Sequence, residues 1–155
     1  LRNTAATPEA VAQLLQSEHS INHLATHAVF DAQIGRLSRI LLHDGDLQAD
    51  EIEQLSIKAR LVALPACQTA LGQQYLGEEL IGLSQSFFIA GAPSVLSALW
   101  AMDDRVSPSL MKDFYEQVFQ RQLAPAFALA ETQRKWIENG RSILDWAALR
   151  LYGAP

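Results

Sequence analysis

Cys67 is the single cysteine of the chain, and His27 lies 40 positions before it. A free thiol has a pKa near ~8.5, so little of it is thiolate at neutral pH. An imidazole beside it can take the proton or stabilise the thiolate, and the pair can then attack a carbonyl carbon. Ala66, Thr69 and Ala70 are small enough to let backbone N–H groups approach a substrate. The N–H groups of Cys67 and Ala28 are the expected oxyanion donors. The competing reading of Cys67 is a small buried core residue, a common place for a lone cysteine.

"HLATH" places a second histidine, His23, four residues before His27. On a helix the two would share a face, as metal ligands do, but the glutamate of a zincin pattern is missing. On a strand they also share a face, roughly 13 Å apart, so both cannot serve one cysteine. His27 is therefore the expected partner and His23 a packed sheet residue. No metal site is expected. His19 and His43 fall in apparent loops and receive no role.

These residues need elements to hold them. "TPEAVAQLL" predicts a helix with Thr7 as cap, Pro8 in its first turn, and Val11, Leu14 and Leu15 on one face. "SINHLATHAVF" predicts one short buried strand ending near His27, and "ARLVALPA" a second, closed by Pro65 and followed by a loop with Gly72 and Gly77. Between them "HDGDLQADEIEQL" predicts a turn at Asp44–Gly45 and a short acidic helix. Leu80, Leu83, Phe87 and Phe88 share a helical face that Gly91 ends. "SVLSALW" predicts a third strand. A helix begins at Ser107–Pro108, with Leu110, Met111, Phe114, Tyr115, Val118 and Phe119 toward the core. "APAFALAETQRKWIE" predicts another helix and "ILDWAALRLYG" a last strand. Alternating strands and helices imply an α/β fold with a mostly parallel sheet covered on both faces. In such sheets functional residues collect beyond the carboxyl ends of the strands, where His27 and Cys67 both fall. If their strands are neighbours, the two side chains meet.

Composition limits the alternatives. The 155 residues suffice for one domain with a core, and 49% hydrophobic with 19% charged residues fits a globular protein. A net charge of −5 with no basic cluster argues against nucleic acid. One cysteine rules out an internal disulfide, so a reducing, cytoplasmic setting is expected. No apolar run approaches the ~20 residues of a membrane span.

"HLATHAVFD", "DGDLQADEI", "LVALPACQTALGQQYLGEELIGLSQSFFIAGAPSVLSALWAMDDR" and "LMKDFYEQV" stand in the order and spacing of the CHAT domain. From about Thr7 to Gly153 the chain resembles this caspase-like module, often found after tetratricopeptide repeats in bacteria. "ETQRKWI" and "DWAALRLYG" look like the family's closing helix and strand. The resemblance implies a three-layer α/β/α sandwich and a cysteine peptidase of the caspase, gingipain and separase group. It makes Cys67 the nucleophile and His27 the acid–base partner, with no cofactor. "LWAMDD" is similar to the separase stretch whose acidic residue holds a basic side chain. Asp104 is the matching position and Asp103 adjoins it, which implies cleavage after Arg or Lys. The other reading is that the two aspartates cap or solvate the turn before Ser107. Trp100 is expected in the core.

The chain departs from the family at three positions. The family usually has glycine where this chain has Ala28, Ala70 and Glu79. An alanine serves at Ala28 only where φ need not be positive. These departures favour a second reading, a pseudo-peptidase acting as an interaction module. A third is an amidase or esterase on the same sheet. Family domains also carry strands before the "AT" helix. The domain spanning 1–155 is accordingly expected to be N-terminally incomplete, with an open sheet edge, a dimer or swapped assembly, or a tetratricopeptide-repeat partner upstream.

Overall fold

The computed structural model describes residues 1, 3–29, 38–65 and 78–154; for 78–82 only the backbone is described. The elements run α1 (Pro8–Leu15), β1 (Ile21–His23), β2 (Ala28–Val29), β3 (Arg39–Leu42), β4 (Gly45–Gln48), α2 (Ala49–Glu53) and β5 (Leu61–Leu64). They continue through α3 (Glu78–Ile89), β6 (Ser94–Ala98), α4 (Ser107–Phe119), α5 (Pro125–Glu138), α6 (Ile143–Trp146) and β7 (Leu149–Gly153). Local signals explain several boundaries. The Thr7 hydroxyl accepts from the Ala10 N–H at 3.3 Å, and Pro8 opens α1 without a lost donor. Gly91, at φ +105°, supplies the left-handed turn after α3.

The main sheet has the order β1-β5-β6-β7. The first three strands are parallel and β7 is antiparallel to β6. Every residue of β5 and β6 is buried, as expected of central strands covered on both faces. The period of two divides them cleanly. Val62, Leu64 and Val95 face a core with Val11, Leu15, Ile52, Leu83 and Phe87. Leu61, Ala63, Leu96 and Ala98 face the other, with Leu110, Phe114, Ala128 and Trp136. Helices α1, α2 and α3 thus cover one face and α4 and α5 the other, an α/β/α sandwich with a mostly parallel main sheet.

The predicted strand through "SINHLATHAVF" is two strands. The chain leaves the main sheet after His23, the Leu24 N–H still bonding the Ala63 carbonyl at 2.8 Å. It then joins a second, antiparallel sheet of order β2-β3-β4. The turn expected at Asp44–Gly45 lies at His43–Asp44, with Gly45 already opening β4, and it joins a β3–β4 hairpin that the sequence did not signal; Ile40 and Leu47 are its buried residues. "ILDWAALRLYG" holds the short helix α6 before β7. Phe119, expected toward the core, is 61% exposed, and Leu14 is only partly buried.

Candidate active site

Parallel pairing of β1 with β5 brings together the strands that lead to His27 and toward Cys67. Ile21 faces Leu61, Asn22 faces Val62 and His23 faces Ala63, so each pair is 40 apart in number. That offset equals the spacing of His27 and Cys67. The described chain follows β5 to Pro65, which sits in the turn after it. Cys67 and Ala70 lie outside the described residues, as do the loop glycines Gly72 and Gly77. So do the side chains of Glu79 and Leu80.

His27 is exposed and lies between the two sheets. Its carbonyl accepts from the Leu41 N–H at 2.9 Å, and the neighbouring Thr26 hydroxyl donates to the Leu41 carbonyl at 2.6 Å. These two bonds pin the backbone of His27 to β3. Thr26 carried no signal in the sequence for this task.

Ala28 faces Ile40 across β2 and β3. The hydrogen bond runs through the flanking residues, His27 and Leu41, so Ala28 and Ile40 form a non-hydrogen-bonded pair. The Ala28 N–H therefore points away from β3. Its side chain is fully buried in the first core, and its φ is not positive. An alanine meets no backbone penalty there.

A cleft of about 850 Å³ opens at this end of β1. His23, Ala25, Thr26 and His27 line it from one side, Leu41, Leu42 and His43 from another, with Asn3 and Ala6. The His43 Nε2 lies 3.3 Å from the Asp44 carboxylate. His23 lies on β1 as expected, and one side of it is open to solvent. Its ring still leans on α4, with Nδ1 2.6 Å from the Tyr115 hydroxyl and the ring centroids 5.7 Å apart. Burial against that helix lowers the His23 pKa and raises that of the Tyr115 phenol.

Asp103 and Asp104 follow β6 at the same, carboxyl, end of the sheet. The Asp103 carboxylate is engaged by the Arg105 Nη2 at 2.6 Å, its Nε at 3.0 Å and its backbone N–H at 2.9 Å. These bonds, the side-chain ones foremost, hold the Asp103 pKa down to about 2. The Asp103 carbonyl also accepts from the N–H groups of Val106 and Ser107 at the start of α4. Asp103 thus ties together the turn before α4, and Asp104 stays exposed beside it. Trp100 is 37% exposed, not in the core; its Nε1 donates to the Leu144 carbonyl at 2.9 Å. Its sequence neighbours are apolar, but the chain has already left β6, and the indole N–H finds its acceptor at the surface.

The cleft lies beyond the carboxyl end of β1 and the two aspartates beyond that of β6, the side of an α/β sheet where functional residues collect. The model of the CHAT domain family matches residues 1–154 of the chain. The chain belongs to the CHAT domain family. This places the CHAT domain described here in a caspase-like, peptidase-related family. No curated protein matches the chain. Among the described residues no helix is long and apolar enough to cross a membrane, and no group of three His, Cys, Asp or Glu side chains is placed to hold a metal ion.

Proposed function

We propose that this CHAT domain is a cysteine endopeptidase in which Cys67 and His27 form the dyad. The observation that supports the reading is that β1 and β5 are parallel neighbours with a register offset of 40, so the segments leading to His27 and toward Cys67 leave the main sheet side by side. The Cys67 thiolate attacks the peptide carbonyl carbon, and the oxyanion forms against the N–H groups of Cys67 and Ala28. The C–N bond then breaks, with the proton passing from the His27 imidazolium to the leaving amine. Water, deprotonated by His27, hydrolyses the thioester and frees the thiol. The free direction of the Ala28 N–H supports its oxyanion role. Asp104, the aspartate without the Arg105 clamp, selects a basic residue before the scissile bond. The substrate is a protein or peptide, met in the cytoplasm.

The interaction-module reading rests on Ala28, Ala70 and Glu79. The strand geometry of Ala28 weakens the first of these, since no positive φ is needed there. On the outer side of β1 no strand is paired among the described residues, which supports association with a second copy through that edge. A strictly monomeric chain in ultracentrifugation would remove that expectation.

The test is labelling with an Arg-directed peptidyl electrophile, compared across the native chain, Cys67→Ala and His27→Ala. Labelling lost in both variants is expected. Equal labelling of the native and His27→Ala chains would refute the dyad.

A further inference from the structure

A second hollow, of about 350 Å³, lies at the opposite end of the main sheet. It is lined by Ile21 and Leu61 at the start of β1 and β5, by Val118 and Phe119 of α4, and by Leu123 of the connection to α5, with Arg60 at its rim. The lining is mostly apolar with one fixed charge, the usual make-up of a small-molecule site. Its volume suits a ligand of about a dozen heavy atoms.

Three observations single it out. Phe119 is 61% exposed although it begins the hollow's apolar wall. An aromatic ring left half in water gains by covering. Gln122, also in the lining, holds a positive φ of 54°, a conformation that costs a non-glycine residue energy and is kept where the surroundings impose it. Arg60 makes no ion pair among the described residues. The nearby acid Glu18 is taken up by Lys58 at 3.0 Å. An adjoining hollow shares Ser20 and Arg60 and adds Glu18, His19 and Lys58; with Lys58 and Glu18 paired, Arg60 is the charge left to a ligand there.

We propose that this hollow binds a small apolar carboxylate, its aromatic or branched body against Phe119 and Leu123 and its carboxylate on Arg60. A guanidinium meets a carboxylate with two parallel hydrogen bonds, which fixes the ligand's orientation. The hollow opens at the amino ends of β1 and β5, and the cleft beside His27 lies beyond the carboxyl end of β1. The proposal does not depend on the peptidase reading.

The test is a titration of the whole chain with 4-phenylbutyrate, followed by amide chemical shifts. Saturable binding is expected, with shifts concentrated at Ser20–Ile21, Arg60–Leu61 and Val118–Pro125. Arg60→Gln, a change at an exposed side chain, is expected to weaken binding at least tenfold, as is replacing the acid by 4-phenylbutyramide. Non-saturable binding, shifts centred elsewhere, or equal affinity for acid and amide would overturn it.

Discussion

Arg105 closes over the carboxylate of Asp103 with two side-chain nitrogens and its own N–H, while Asp104, one residue away, stands clear of that clamp. The two aspartates are adjacent in sequence, one held by the arginine and the other exposed. If Asp104 recognises a basic residue, Asp104→Asn should lower kcat/KM for an Arg peptide at least about tenfold, the weight of a charge-assisted hydrogen bond. Asp103→Asn should leave the Arg-over-Leu preference in place. Paired fluorogenic Arg and Leu peptides measure both. A preference lost only in Asp103→Asn would reverse the assignment.

Asp113 ties α4 to α5. Its carboxylate accepts from the Trp136 Nε1 at 2.7 Å and from the Lys135 Nζ at 2.8 Å. Burial pushes its pKa up, but those two bonds and the lysine charge outweigh burial and leave it lowered. Asp113→Ala strands the indole N–H of a residue that is 4% exposed. A loss of about 1–3 kcal/mol is expected in urea unfolding, and a smaller one for Asp113→Asn, whose amide oxygen still accepts.

His23 predicts a pH dependence. Its folded pKa lies below the ordinary 6.5 because burial disfavours the imidazolium. As the pH falls through 6.5 the unfolded chain takes up a proton that the folded site resists, so folding stability declines toward acid. His23→Gln keeps a hydrogen-bonding partner for Tyr115 and removes the titration. Its urea midpoint should change less than the native one between pH 7 and pH 5. Parallel declines would show that His23 does not contribute.

Gly153 ends β7 at φ +95°, and a Cβ there would run into the Pro93 carbonyl and within 2.9 Å of the Phe88 ring. Gly153→Ala combines backbone strain with overpacking, and a loss of about 2 kcal/mol or more is expected. For a domain of this size that is a fall of roughly 4–8 °C in Tm, read by thermal unfolding. By contrast Gly140, at φ +67° with nothing near its Cβ, should lose only the cost of the backbone conformation.

Helices and buried strands were legible where one residue pattern decided them. Thr7–Pro8 marks the start of α1, and the apolar run of β5 marks a central strand. The second sheet was not legible. β2 has two residues and β3 carries an arginine and only one fully buried side chain, so neither shows a clear period. Their pairing is a long-range fact. The strand-end logic expected His27 at the end of the first strand, but β1 ends at His23 and the chain has crossed toward the second sheet by His27. The same logic could not separate Asp103 from Asp104, since that depends on how one arginine side chain folds back. Trp100 was misjudged for the same reason: its acceptor, the Leu144 carbonyl, is 44 residues away.

The backbone of His27 is fastened to β3, while the strand that leads toward Cys67 belongs to the main sheet. Two ribbons from separate sheets, joined through the first core, must therefore sit correctly before a thiol and an imidazole from them can meet. In a molecule that uses them together, the site works as a two-key lock. A disturbance of the small hairpin would withdraw one key while leaving the strand pairing of the main sheet in place, so the proposed activity is expected to fall before the fold is lost.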